Sequence, residues 1–175
     1  MEGETPAAGD WAWLSSPAGV VLDGGALTFV HHMPVAEAFR AFDFDPGSAR
    51  TITAAEALSD PVLKTAGFHD GPRWIRVAQS GEWTVVIEHG QQKVHVDGID
   101  GQLARDADVV FAAANESEPV VVSHLSHGEF VFAFECGAPY DSRAGLRPHL
   151  FDDAMDAAGC WNFPNVVRSG KSWSR

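Results

Sequence analysis

The chain is expected to fold as a single α+β domain, a mainly antiparallel sheet covered by short helices from its N-terminal and C-terminal segments. Three observations lead there. Runs of alternating or β-branched apolar residues crowd the middle of the sequence. Apolar residues at helical spacing concentrate towards its two ends. Short turn signals join successive runs, as antiparallel neighbours require. A length of 175 residues suits one domain and allows a self-sufficient core. Residues 1–10 read as a flexible arm, 11–160 as the folded domain and 161–175 as a tail without periodicity.

Trp11-Ala12-Trp13-Leu14 puts two indoles on one side of an extended or single-turn segment. The turn signal Asp23-Gly24-Gly25 precedes a strand over 26–30. Pro34 suits a first helical position, where its missing N–H costs nothing. Val35, Ala38, Phe39 and Phe42 then form one apolar stripe, which Asp45-Pro46-Gly47 ends. Thr53-Ala54-Ala55-Glu56 has capping-box form, and Asp60-Pro61 opens another short helix that Gly67 closes.

The centre is β. Residues 73–79 and 82–88 flank Ser80-Gly81, a two-residue hairpin signal. Ile75, Val77 and Val86 fall on one face, and Trp74, Trp83, Val85 and Ile87 on the other, so both faces are partly apolar. A short helix is expected over 98–106, then strands over 108–113 and 119–126 separated by Asn115-Glu116-Ser117-Glu118, and a last strand over 130–136. Pro148 opens a final helix with Phe151, Met155 and Ala158 on its buried stripe, Asp152 and Asp153 at its positive end, and Gly159 closing it.

The stretch around His124-Leu125-Ser126-His127 resembles half of a metal site, but register argues otherwise. A His127-Gly128 loop, which histidine's tolerance of positive φ permits, pairs Ser126 with Glu129 and His124 with Val131. Val121, Ser123 and Leu125 then share the core face with Phe130, Phe132 and Phe134, while His124 falls on the other face and His127 on the turn. The two imidazoles do not converge. His31 and His32 end a strand, where successive side chains point to opposite faces. His89 and His95 flank the loop Gly90-Gln91-Gln92-Lys93 and join His124 only if the two hairpins are neighbours. No metal site and no cofactor are expected.

Composition excludes further classes. A formal charge of −12 argues against nucleic acid, which needs a basic patch. Residues 1–70 carry ten acids against three bases, whereas the tail 161–175 has three bases and no acid. No apolar run approaches the roughly 18 residues of a membrane span, and the acidic start lacks the form of a secretory signal. Cys136 and Cys160 are too few for a disulfide framework, which with the rest suggests a reduced, cytoplasmic setting. Gly-x-Ser-x-Gly and phosphate-cradling glycine loops are missing. Tyr140-Asp141-Ser142-Arg143, in a loop that also holds Arg147 and His149, reads as a turn leading to a helix cap or as a ligand-binding loop.

The chain resembles an actinobacterial domain family of unknown function. The resemblance is carried by Trp11-Ala12-Trp13-Leu14, by Leu27-Thr28-Phe29-Val30 leading into 35–42, and by Gly81-Glu82-Trp83-Thr84-Val85-Val86-Ile87-Glu88. It continues through Val109-Val110-Phe111 to Phe134 and the closing 151–159. It implies a small acidic α+β protein and brings no activity or catalytic residue with it. Relatives have E-x-x-G after the second hairpin strand, where Glu88-His89-Gly90 is one residue shorter, and asparagines where this chain has His124 to His127.

Charge, a complete core and the lack of a catalytic motif point to a small acidic, non-catalytic binding or accessory protein. Its expected partner is a basic protein, in the manner of an inhibitor or immunity protein. The alternatives are a small biosynthetic or hydrolytic enzyme using His89, His124 and Glu129 at the hairpin ends, or a small-ligand binder lined by Trp74, Trp83, Tyr140 and Arg143.

Overall fold

In the computed structural model, β1 (Gly25–His31) is a central strand because its alternate residues Ala26, Thr28 and Val30 all lie at or below 1 % exposure. The described residues are 25–53, 56, 74–89, 98–115, 118–136, 138–139 and 141–157. The segment 11–14, the helix expected over 60–67, Tyr140, Cys160 and the tail lie outside them.

Five further strands complete one sheet: β2 (Trp74–Ser80), β3 (Trp83–His89), β4 (Asp108–Asn115), β5 (Glu118–Ser126) and β6 (Glu129–Glu135). Their order is β2-β3-β1-β4-β5-β6, with every neighbouring pair antiparallel. Among the described residues, the α-helices whose bounds are resolved are α1 (Val35–Ala41), α2 (Ile99–Leu103) and α3 (Asp152–Ala157). The expected α+β architecture is therefore present, with a wholly antiparallel sheet. Among the described residues, no helix is long and apolar enough to cross a membrane.

Register puts Ala26, Thr28 and Val30 beside Glu88, Val86 and Thr84 of β3 and beside Ala113, Phe111 and Val109 of β4. This face forms the larger core, on which α1 and α2 set Ala38, Phe42, Ile99 and Leu103. Pro34 caps α1 rather than occupying its first turn, and Asp43 closes the helix at φ +63, a conformation that aspartate tolerates better than most residues. The capping box is formed reciprocally: Thr53 N–H donates to Glu56 Oε2 (2.6 Å) and Glu56 N–H to Thr53 Oγ1 (3.2 Å).

The β2–β3 loop is Gly81-Glu82, one residue later than Ser80-Gly81, because Ser80 still pairs with Trp83. That moves the pairing by two residues, which preserves the expected faces of Ile75, Val77 and Val86. The His127-Gly128 loop forms as read, with φ +48 and +80.

One face assignment is overturned. β6 holds an extra residue, Val131, so Leu125 pairs with Phe130 while His124 pairs with Phe132 and Ser123 with Ala133. Phe132 and Phe134 therefore leave the face of Val121, Ser123 and Leu125, and Phe130 is 44 % exposed. With Val131, they build a second cluster against Phe151 and Met155 around α3, on the opposite side of the sheet. α3 begins at Asp152, since Pro148 and the three residues after it form turns.

Residues 144–147 return along the outer edge of β6. Ala133 and Ala144 exchange N–H···O bonds of 3.0 Å, Leu146 N–H donates to Phe130 O and Arg147 N–H to Val131 O (2.8 Å). These bonds cover an edge that would otherwise be open to pairing with another chain. At Gly145 (φ +101) an added Cβ would lie 2.5 Å from the Val131 carbonyl oxygen. Gly145→Ala should therefore destabilise the fold by about 3 kcal/mol, combining steric overlap with backbone strain. Gly128→Ala, where nothing lies within 4 Å of the new Cβ, should cost about 1–2 kcal/mol for its left-handed backbone alone. Urea unfolding of the two variants checks the ranking.

Candidate functional site

One rim of the sheet gathers polar side chains. It comprises the end of β1, the β2–β3 loop, the start of β4 and the β5–β6 loop. The backbone explains the arrangement. β1 ends at His31, and His32 enters the left-handed region at φ +57. His32 N–H then donates to the Glu82 carbonyl (2.7 Å), and the Thr84 hydroxyl to the Met33 carbonyl, tying the β1–α1 connection to the β2–β3 hairpin.

This turn corrects the expectation that His31 and His32 point to opposite faces. Strand alternation ends at a left-handed residue, and the two imidazole centroids lie 3.8 Å apart. His31 also stacks on Trp83 at 4.6 Å. Glu82 faces both rings: His31 Nε2 is 3.6 Å from one carboxylate oxygen and His32 Nδ1 is 3.9 Å from the other. Among the described residues, this is the one group of three His, Cys, Asp or Glu side chains whose ligand atoms all fall within 4.8 Å of one another.

Further along the rim, His124 Nε2 lies 3.2 Å from Asp108 Oδ1, and its ring packs 5.7 Å from that of Phe151. Asp108 pairs directly with Ser126, which makes His124 its diagonal neighbour on the same face. The Ser126 hydroxyl bond, reinforced by the bond and charge of His124 and the charge of His127 against some desolvation, holds the Asp108 carboxyl below its usual value. Ser126 and His124 thus converge on one carboxylate. Among the described residues, the buried Nδ1 of His124 has no hydrogen-bond partner. That is not a Ser-His-Asp relay, in which the histidine stands between the other two.

The proposed enzyme set is dispersed. His89 pairs with Gly25 at the far end of the sheet, four residues along β1 from Phe29 at the level of Val110 and His124. Three strand steps also intervene, so their Cα atoms are on the order of 20 Å apart. Glu129 is exposed opposite Ser126, while Asp108 is the carboxylate that His124 meets.

Of the candidate ligand-binding residues, Trp74 is half-buried on the outermost strand and Trp83 stacks on His31. Arg143 is committed to α3, with Nη2 3.0 Å from Asp152 Oδ1 and Nη1 3.0 Å from His149 Nδ1. Ser142 ties the same loop to β6, accepting from Glu135 N–H and donating to the Ala138 carbonyl, both at 2.7 Å. Cys136 lies half-buried against the second cluster. Reasoning from sequence missed Asp108 and the His31–His32–Glu82 group. Pro119 was the available signal for Asp108, because a proline inside a strand marks an edge or a bulge.

Compared with protein families, curated proteins and solved structures, the chain has no match.

Asp108 supplies a pH test. Its folded-state value is depressed, so its ionised form favours the native state. That contribution is present above the unfolded value of about 4 and is lost as pH falls through the folded value. The urea midpoint of Asp108→Asn should lie below that of the native sequence near pH 6, with the gap shrinking towards about pH 3.

Proposed function

We propose that the protein is a non-catalytic binding module that docks a basic protein partner through its acidic surface, as an inhibitor or immunity protein does. The observation that supports this most is the surface charge. Glu37 and Asp43 on and beside α1, Asp153 and Asp156 on α3, and Glu82, Asp106 and Glu129 near the loops are all exposed. Exposed basic residues among those described are Arg40, Arg50, Arg105 and Arg147, and the whole chain carries −12. Such a field accelerates encounter with a cationic surface and weakens steeply with salt. Segment 144–147 covers the β6 edge, so a partner on that side meets side chains rather than open strand backbone.

Affinity capture followed by titration of the purified pair tests the proposal. A stoichiometric basic protein should be recovered, binding at least about tenfold more weakly when salt is raised from about 50 to 500 mM. Either Asp153→Asn/Asp156→Asn or Glu37→Gln/Asp43→Asn should weaken it further, identifying the docking side. Recovery of the chain alone, or binding indifferent to salt and to both amide pairs, contradicts the reading.

A further inference from the structure

We propose that His31, His32 and Glu82 form a binding site for a divalent transition metal of the zinc type. Two imidazoles and one carboxylate are the donor set that zinc, copper(II) and nickel(II) accept, whereas magnesium and calcium require oxygen-rich shells. The spacing also fits. Metal–ligand bonds of about 2.0–2.2 Å at tetrahedral angles separate ligand atoms by about 3.3–3.6 Å. His31 Nε2 and His32 Nδ1 lie 3.6 and 3.9 Å from the two different oxygens of Glu82, and one ligand atom from each of the three residues falls within 4.8 Å of the others, so side-chain adjustment of about 1 Å brings two nitrogens and one oxygen to that spacing.

The backbone prepares this geometry. Adjacent strand histidines ordinarily diverge, and the left-handed turn at His32 is what brings the second ring beside the first. The 2.7 Å bond from His32 N–H to the Glu82 carbonyl holds the two contributing loops together. The ring contact with Trp83, centroids 4.6 Å apart, restrains the His31 imidazole on one side. The charge of −12 raises the local concentration of cations around an exposed site. Three protein ligands leave a fourth position for water. With His32 64 % and Glu82 71 % exposed, the site should bind with micromolar rather than nanomolar affinity.

The test is calorimetric titration of chelator-stripped full-length chain with zinc chloride in a non-coordinating buffer. The expected result is one saturable site with a dissociation constant on the order of 10 µM. His31→Ala, His32→Asn and Glu82→Gln should each weaken it at least about tenfold. Asparagine tolerates the left-handed backbone and glutamine keeps the shape of glutamate, so the last two variants preserve the fold. Copper(II) gives a second readout by quenching Trp83 fluorescence, a component that Trp83→Phe removes and that His32→Asn should protect from quenching. No saturable binding up to about 100 µM zinc, or unchanged affinity in both His32→Asn and Glu82→Gln, would overturn the proposal.

Discussion

A single extra residue in the last strand decides how the two sides of this sheet are used. Because strand side chains alternate with a period of two, the bulge at Val131 transfers everything after it to the opposite face. Phe132 and Phe134 thereby face α3, where Phe151 and Met155 bury them, instead of enlarging the cluster beneath α1 and α2. The same shift encloses His124 beside Phe132 and Phe151 rather than leaving it on an open polar face. Gly145 completes the arrangement, since only a residue without Cβ can pass so close to the bulged backbone.

A second irregularity has an equal effect on the rim. Asn115 pairs with Glu118, so an uninterrupted ladder would set Asp108 against Leu125. An extra residue near Pro119 sets it against Ser126 instead. The carboxylate consequently joins the face of His124. Proline cannot donate to the ladder, and the bulge is where a strand accommodates that loss. Two one-residue insertions thus position both the second core and the Asp108–His124 contact.

Local chemistry made much of this legible in the sequence. The stripe of Ala38 and Phe42, the Thr53–Glu56 box, the His127-Gly128 loop and the two faces of the β2–β3 hairpin follow from periodicity, capping and turn preferences acting over a few residues. The hairpin faces survived an error in the loop position because the slip was even. Odd slips are not forgiven, and the Phe130–Phe134 assignment failed for that reason. Strand order was equally hidden: nothing local states that β1 inserts between β3 and β4, a contact made across more than fifty residues. At the rim, the convergence of His31 and His32 depends on one backbone dihedral, to which side-chain alternation is blind.

The pairing of β5 with β6 is therefore the place to test the account. In nuclear Overhauser spectra of the isotope-labelled protein, His124 should show cross-strand contacts to Phe132 and Ser123 to Ala133. The Phe132 ring should contact that of Phe151, whose centroid lies 5.4 Å away. Cross-strand contacts of Ser123 to Phe132, with that ring touching Val109 or Phe42, would mean an unbulged strand and would contradict the division of the core on which the rest depends.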